Sequence, residues 1–451
     1  MVMKKLIVFS VVFALVAGAA FAVDLSGGVI GTVNFLEGDS QKDKNGDAVP
    51  VGASAGFDRV RLEGSGENDD GTFGGWLRVE GLYAGDVQQS QLTGNSWEDE
   101  VLHLFKGYGY AWWKPLDLLK VGIGGNPDGM YGKEGVTGWG FYQTASDTGV
   151  VNPGNAWGGS YLDGDALVFR NAFYGGFGAN ALHLTISPVD MVDINIAVPF
   201  FDGVAYDPDT NPEGSASYIF QRTVFQADLK LDFGNIALTY VGDGNKYADG
   251  NPGTIFAYFG LTSIENLGID VGIGFPLPLV DKEFMGADSK EHTATIITPI
   301  AVGLGAKFTT GAFGIKARVV ASFAGSSKVD YDGDAGDPDP DPFLLIADIL
   351  PFYSVSDNLR IYFSAGLGIA GVDKDAKGDP EQPKDAWGDD TKAVVAWHIN
   401  PYVEVGGEWG PKFLAGLKLS SDGKDYANLK DSSEKEKIVK WSIPIALHVS
   451  F

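Results

Sequence analysis

Apolar and polar residues alternate with a period of two along most of the chain. From 267 to 275 every odd-numbered residue is large and apolar, whereas the even-numbered ones are Gly or Asp. The stretches 313–323 and 359–369 have the same pattern. A period of two places successive side chains on opposite faces of a sheet, so each stretch predicts a β-strand with one apolar face. About ten residues are enough for a tilted strand to cross a membrane.

Segments of this kind recur from one end of the chain to the other. We predict about 18 strands, within a range of 16 to 20, and an all-β fold. Their positions are near 24–36, 54–64, 72–84, 101–113, 118–125, 178–187, 191–200, 217–232, 235–243, 253–263, 267–276, 293–309, 312–324, 342–356, 359–370, 392–407, 411–420 and 437–451.

The connections between these strands alternate between short and long. Several of the short ones contain Pro, Asp or Asn, which are typical of tight turns. The long ones are polar and lie at 37–53, 85–100, 126–177, 201–216, 277–292, 325–341, 371–391 and 421–436. Short turns on one side and long loops on the other are typical of a transmembrane antiparallel up-and-down β-barrel.

The N-terminus has the pattern of a cleaved export signal. Lys4 and Lys5 precede an apolar run at 6–16, and Ala20-Phe21-Ala22 forms a site for signal peptidase. We therefore predict a signal peptide at 1–22 and one barrel domain at 23–451, in which the long loop 126–177 could fold into the lumen.

Composition excludes several classes of function. The 451 residues include 33 basic and 59 acidic side chains, for a net charge of −26, which argues against nucleic acid as a partner. The absence of Cys excludes thiolate chemistry and disulfides. The five His residues form no H-E-x-x-H motif, and no G-x-S-x-G occurs. His398 could pair with a Ser as in an outer-membrane lipase, but a His on a strand is more often a lining residue, so we predict no enzyme.

The C-terminal strand is the most specific motif. One of its faces consists of apolar residues and ends on the last residue of the chain: Trp441, Ile443, Ile445, Leu447, Val449 and Phe451. This strand resembles the terminal strand of Gram-negative outer-membrane proteins of the porin-like β-barrel family, although Pro444 departs from the pattern because it lacks a backbone donor. The resemblance implies a location in the cell outer membrane, contact with outer-membrane lipid and recognition of this strand by the barrel-assembly machinery. A homotrimer is left open.

In a barrel, charged side chains should point inward, because Lys or Arg facing lipid costs about 2–4 kcal/mol at the midplane. The strand pattern assigns these residues to the pore lining: Arg59, Arg61, Glu63, Arg78, Glu80, Arg222, Asp228, Lys230, Lys316, Arg318, Arg360 and Glu404. Lys106 falls on the face of Tyr108 and Tyr110, which we expect, with Trp112 and Trp113, to form an aromatic girdle facing lipid.

These features predict a porin, a diffusion channel for small polar solutes or ions. By resemblance to porins, acids on loop 126–177 could face a basic wall at a constriction; they are Asp128, Glu134, Asp147, Asp163 and Asp165. One alternative is a non-conducting adhesin or structural barrel, and another is a long-chain lipid transporter. No cofactor or metal is predicted, although Asp-rich segments at 43–47 and 330–334 could bind calcium adventitiously.

The terminal motif gives a direct test. Deleting Phe451 should reduce insertion into the outer membrane, because the last aromatic residue is part of the assembly signal that the resemblance implies. The measurement is the amount of folded, heat-modifiable protein in the membrane fraction. Normal insertion of the truncated chain would contradict the assembly-signal interpretation.

Overall fold

The computed structural model describes residues 22–40, 52–81, 105–125, 181–199, 223–242, 253–277, 279–285, 291–297, 300–323, 325–330, 339–341, 344–371, 393–406, 410–421 and 439–450. Strands and turns make up these ranges. No helix within them is long and apolar enough to cross a membrane.

The described residues form 23 strands. The first eleven are β1 (Ala22–Asp39), β2 (Gly52–Glu67), β3 (Phe73–Gly81), β4 (Phe105–Leu116), β5 (Leu119–Gly125), β6 (Ala181–Val189), β7 (Val192–Pro199), β8 (Val224–Leu231), β9 (Gly234–Val241), β10 (Thr254–Ile264) and β11 (Leu267–Pro276). The others are β12 (Leu279–Met285), β13 (Glu291–Ile297), β14 (Ile300–Thr310), β15 (Phe313–Phe323), β16 (Gly325–Asp330), β17 (Asp339–Asp341), β18 (Leu344–Ser356), β19 (Leu359–Gly371), β20 (Ala393–Val405), β21 (Lys412–Gly416), β22 (Lys418–Ser421) and β23 (Val439–Ser450).

The main sheet closes on itself. Of the described strands, 19 belong to it, and β21 and β22 share one position between β20 and β23, which leaves 18 positions. Each strand pairs antiparallel with its neighbours along this path, and β1 pairs with β23 from Gly28 opposite Ser450 to Asp39 opposite Lys440. The predicted all-β, antiparallel up-and-down barrel of about 18 strands is therefore confirmed.

Short turns lie along one rim of the barrel. In the turn between β2 and β3, the Asn68 side-chain oxygen accepts hydrogen bonds from the backbone N–H groups of Thr72 and Phe73, at 2.8 and 2.9 Å. Asn266 and Gly311 have φ angles of 64° and 53° in two other turns, a left-handed conformation that Asn and Gly tolerate best. Tight turn chemistry thus fixes the strand register at this rim, as the sequence predicts.

A second, smaller sheet was not expected. Strands β12, β13, β16 and β17 form it, and they lie within the stretches 277–292 and 325–341, which we predicted to be loops, and at the start of the predicted strand 293–309. That predicted strand is in fact two, β13 in the small sheet and β14 in the barrel. The stretches 277–292 and 325–341 lack the sustained apolar alternation on which the strand prediction relied.

The barrel wall is apolar outside and polar inside. On β3, Leu77 and Val79 are exposed while Arg78 between them is buried. On β8, Phe225 is exposed and its neighbour Gln226 is buried; on β18, Ile349 is exposed and Asp348 is buried. This inversion of the usual soluble pattern is what a lipid-facing outer surface requires.

Hydrogen bonding in the wall is interrupted next to the closing strand. Phe35 and Leu36 on β1 oppose the single residue Ile443 on β23, which makes a β-bulge. On the other side of β23, the strand is broken between β21 and β22 at Leu417. Pro444 lies in this region and has no N–H to donate. Pro444, which departs from the terminal-strand pattern, therefore lies where strand pairing is irregular, and β23 nevertheless pairs with β1 to close the barrel.

This irregularity predicts uneven hydrogen exchange. Backbone amides of Phe35 and Leu36 should exchange faster than those of β19, where every residue from Leu359 to Gly371 has a partner in β20. Exchange followed by mass spectrometry on the detergent-solubilised barrel measures both segments in one sample. Equal protection in the two segments would contradict the presence of a weaker closing region.

Candidate functional site

Four charged side chains form a cluster on the inner wall at β2 and β3. Arg78 Nε lies 2.5 Å from Glu63 Oε1, and Arg61 lies 3.1 Å from Glu80 Oε2. Arg61 also lies 3.4 Å from Glu63, and Arg78 lies 3.9 Å from Glu80. Each arginine is therefore within 4 Å of both carboxylates. We call Arg61, Glu63, Arg78 and Glu80 the β2–β3 charge cluster. Arg61 and Glu63 keep about a fifth of their side-chain surface accessible, at 20% and 23%.

The register of the sheet produces this cluster. Glu63 lies directly opposite Arg78, and Arg61 lies directly opposite Glu80. Residues opposite each other in an antiparallel pair point to the same face, and opposite charges there stabilise the pair. Arg78 is also packed over the ring of Trp76, with 4.9 Å from the guanidinium carbon to the ring centroid.

A second charged row crosses β15, β18, β19 and β20. Arg318 Nε lies 2.6 Å from Asp348 Oδ2, and the side chain of Asp348 is fully buried. Asp348 lies opposite Gly366, which in turn lies opposite His398. A Cβ at Gly366 would overlap Asp348 Oδ1 and would come within 2.8 Å of His398 Nδ1. Glycine at this position therefore allows the carboxylate and the imidazole to lie over the same part of the wall.

His398 does have a serine partner in the structure, as the sequence suggested. Ser364 Oγ lies 2.9 Å from His398 Nε2, and the carboxylate of Asp348 is nearby. This resembles the arrangement of a serine nucleophile and its base. However, Ser364 has no exposed surface and His398 is 2% exposed, so a substrate has no route to the hydroxyl. We interpret the group as a buried polar network within the wall.

Uncharged polar side chains line the wall at β6–β9. They form a ladder in which Thr185 donates to Asn195 at 2.8 Å, and Gln226 donates to Thr239 at 2.9 Å. Asn195 and Gln226 approach each other at 3.4 Å. Because each side chain is satisfied by a neighbour on the next strand, this part of the inner wall can be polar without charge.

The expected aromatic girdle is wrong for three of its four members on β4. Tyr110 packs edge-on against buried His183 with ring centroids 5.4 Å apart, and the Trp112 ring contacts the ammonium groups of Lys114 and Lys120 at 5.1 and 5.6 Å. Tyr108 lies opposite buried Arg78, so it shares the inner face. Only Trp113 of this group points outward. The outward face of β4 carries Gly107, Gly109 and Ala111 instead. Because these residues are small, the sequence pattern takes the face with the large aromatic residues for the lipid-facing one.

The pairing of β3 with β4 also shows on which face Lys106 lies. Lys106 lies opposite Glu80, a member of the β2–β3 charge cluster, so its position belongs to the inner face. The sequence pattern suggested a lysine among lipid-facing residues only because the tyrosines were assigned to lipid.

An aromatic stack covers the inner face of β18, β19 and β20. Tyr362 and Tyr402 stack with centroids 4.6 Å apart and planes at 7°, and Phe352 lies 5.6 Å from Tyr362. The Phe352 ring covers Gly314 on β15, where a Cβ would overlap it. Tyr353, the next residue, is exposed on the outer face.

The remaining predicted lining residues fall into two groups. Asp228 and Glu404 are buried, Arg360 lies opposite Glu404, and Lys230 Nζ lies 2.6 Å from Asp193 Oδ2. The side chain of Arg59 and the whole of Arg222 lie outside the described residues, as do all five candidate constriction acids on loop 126–177 and the terminal Phe451. A pore-lining role remains a prediction for the whole set.

Sequence reasoning missed the buried network around Asp348. Asp348 interrupts an apolar run from 344 to 353. An isolated acid in an otherwise apolar strand indicates a cationic partner on a neighbouring strand, and here that partner is Arg318. Within the described ranges, no three His, Asp or Glu side chains lie close enough together to hold a metal ion.

Comparison with known proteins finds only distant structural similarity. No family model matches this chain, and no curated protein matches it. Among solved structures, OpdL of Pseudomonas aeruginosa is 9% identical, with a TM-score of 0.47 over 96% of this chain and 99% of that one. The outer membrane channel DcaP of Acinetobacter baumannii is 10% identical, with a TM-score of 0.44 over 96% and 98%.

A loop L8 deletion mutant of OmpT, an outer membrane protein of Vibrio cholerae, is 12% identical, with a TM-score of 0.42 over 96% of this chain and 100% of that one. At this level of similarity, only the wall of this chain can indicate what it does. Its closed antiparallel sheet, apolar outer surface and polar inner surface are those of a transmembrane β-barrel, the fold that the sequence predicts.

The glycine beneath the Asp348 network provides a stability test. Gly366→Ala should destabilise the barrel by about 1–3 kcal/mol, because the new methyl overlaps the carboxylate of Asp348. The measurement is the temperature at which folded protein unfolds on a heated detergent gel. Gly107→Ala is the matched control, since a Cβ there meets nothing within 4 Å. Equal unfolding temperatures for both variants would contradict close packing at Gly366.

Proposed function

We propose that this chain is an outer-membrane channel through which small polar solutes or ions diffuse passively. The observation that carries the proposal is the β2–β3 charge cluster, in which both signs of charge lie on the inner face of a closed barrel and stay partly accessible. Charges are stable there only if water or an opposite charge lies within reach. A barrel of this strand number is too wide for its own wall side chains to fill.

The inner wall supports passage of hydrated or polar species. The partly accessible Arg61 and Glu63 offer hydrogen bonds that can replace part of the hydration shell of a solute, and the neutral ladder at β6–β9 adds no charge to the wall. Diffusion through such a wall requires no cofactor and no energy source. The acids of loop 126–177 are proposed to face a basic wall and to create a transverse field at a constriction.

Other functions are less well supported. A long-chain lipid transporter needs a continuous apolar path, whereas buried Asp and Glu side chains occur on several parts of the inner wall. The burial of Ser364 argues against hydrolysis at the Ser364–His398 pair. A non-conducting adhesin or structural barrel would have the same wall but no continuous water path, so conductance separates it from a channel.

The partners of the channel remain part of this proposal. They are outer-membrane lipid around the wall, the barrel-assembly machinery at the terminal strand, and a second and third copy if the barrel forms a homotrimer. Export through the predicted signal peptide precedes all of these contacts.

The conductance test uses two neighbouring residues of opposite charge. Purified protein should give discrete conductance steps in a planar lipid bilayer, and under a KCl gradient Arg61→Gln should shift the reversal potential toward cation preference. Glu63→Gln should shift it the other way, because the two side chains are similarly accessible and differ in sign. The two variants control for each other.

Two results would contradict this proposal. Absence of conductance steps from correctly folded protein would favour the non-conducting barrel. Identical reversal potentials for the parent and both variants would place the β2–β3 charge cluster away from the conduction path.

A further inference from the structure

Two lysines lie close together where the inner wall meets the rim that carries the short turns. Lys114 on β4 and Lys120 on β5 are each one residue nearer the turn than the paired residues Trp113 and Val121. The backbone N–H of Lys114 donates to the carbonyl of Thr72, so β4 is still in register with its other neighbour here. Because Trp113 is exposed on the outer face, the next residue, Lys114, faces the interior.

Both ammonium groups lie near the ring of Trp112. The ring centroid is 5.1 Å from Lys114 Nζ and 5.6 Å from Lys120 Nζ. The ring lies over Gly74 on β3, where a Cβ would come within 2.6 Å of it. Lys120 lies opposite Thr185, the first member of the polar ladder at β6–β9, and so shares the inner face. One aromatic ring therefore attracts two positive charges to the same part of the rim.

The acids near this pair of lysines are gathered on the other flank, around Lys230. The carboxylates that act on Lys230 are those of Asp190, Asp193 and Asp228. Asp193 also acts on Lys120, but its carboxylate lies 2.6 Å from Lys230 Nζ and accepts a hydrogen bond from the Ser187 hydroxyl. The charge of Lys114 acts on Lys120 as well, and like charges repel. Positive charge is therefore concentrated on the β4–β5 side, while the acids lie on β7, β8 and the turn before β7.

We infer that Lys114 and Lys120 form a binding site for a small divalent oxyanion, sulfate or phosphate. Two ammonium groups beside one ring can each donate to a different oxygen of a tetrahedral anion, and such charge-assisted hydrogen bonds are stronger than neutral ones. Two negative charges match the two ammonium groups, whereas a monocarboxylate carries only one. Lys114 is exposed, so an anion can reach the pair from water. Binding of the anion offsets the repulsion between the two lysines.

The inference deepens the proposed function and rests on it only for the role of the site in passage. The lysines lie at one mouth of the barrel, so the site would act on anions that enter or leave there. The β2–β3 charge cluster carries both signs and does not by itself favour an anion. Conduction requires that the anion be bound weakly enough to be released.

The test measures binding apart from conduction. Sodium sulfate, sodium phosphate and sodium acetate are titrated separately into the full-length, detergent-solubilised protein and followed by isothermal titration calorimetry, with sodium chloride as the reference salt. We expect saturable binding of sulfate and phosphate, and binding of acetate that is at least about tenfold weaker, because acetate has one charge and two oxygens. Acetate that binds as tightly as sulfate would overturn the divalent class of the ligand.

Lys114→Gln and Lys120→Gln should each weaken sulfate binding about tenfold or more, because one charge-assisted hydrogen bond is lost. Lys114→Glu should abolish it, since the new carboxylate takes the place of the anion beside Lys120. Opposite charges on neighbouring strands are a favourable pair, so this variant is expected to unfold at no lower temperature than the parent. Loss of binding in Lys114→Glu therefore cannot be attributed to loss of the fold.

Lys412→Gln is the matched control. Lys412 lies at the start of β21, opposite His448, and its neighbour Phe413 is exposed on the outer face, so this variant removes one inner positive charge on a strand away from β4 and β5. It should leave sulfate binding unchanged.

The inference is overturned if the parent shows no saturable binding of sulfate or phosphate, or if Lys412→Gln weakens binding as much as Lys114→Gln. The proposed function fails separately. Saturable binding by protein that gives no conductance steps would reject the channel and keep the site, whereas conductance without binding would reject the site and keep the channel.

Discussion

Closure of the sheet is the constraint on which the rest of the structure depends. A backbone N–H or C=O left unpaired in lipid costs several kcal/mol, so a membrane sheet must have no edge. The pairing of β1 with β23 removes the two edges that an open sheet would have. Once the sheet is closed, each strand has one face toward lipid and one toward the interior. Alternate residues of a strand therefore face lipid and the interior in turn.

That sorting explains why opposite charges meet on the inner wall. With a strict period of two and a fixed register, Glu63 must lie beside Arg78, and Asp348 must lie beside Arg318. Glycines opposite large inner side chains, such as Gly366 and Gly314, give those side chains room to lie along the wall. The same register places Lys307 and Lys316 side by side.

The sequence predicted the barrel well because alternation and turn chemistry are local signals. Strand positions, the number near 18 and the inward parity of Arg61, Glu63 and Arg78 could all be derived from it. It failed where a strand has no clear apolar face, as on β4, whose outer face is Gly and Ala at 107, 109 and 111 and whose inner face carries Tyr110. Contacts between strands, such as Ser364 with His398, depend on register across the sheet and could not be derived from either strand alone.

The most direct test of this account is the environment of four consecutive positions on β2. The chain has no Cys, so single cysteines at Val60, Arg61, Leu62 and Glu63 can each carry one fluorescent label. In lipid vesicles, labels at 60 and 62 should be quenched by a lipid-bound quencher, and labels at 61 and 63 by a water-soluble one. The same response at all four positions would contradict a wall with one face in lipid and the other in water.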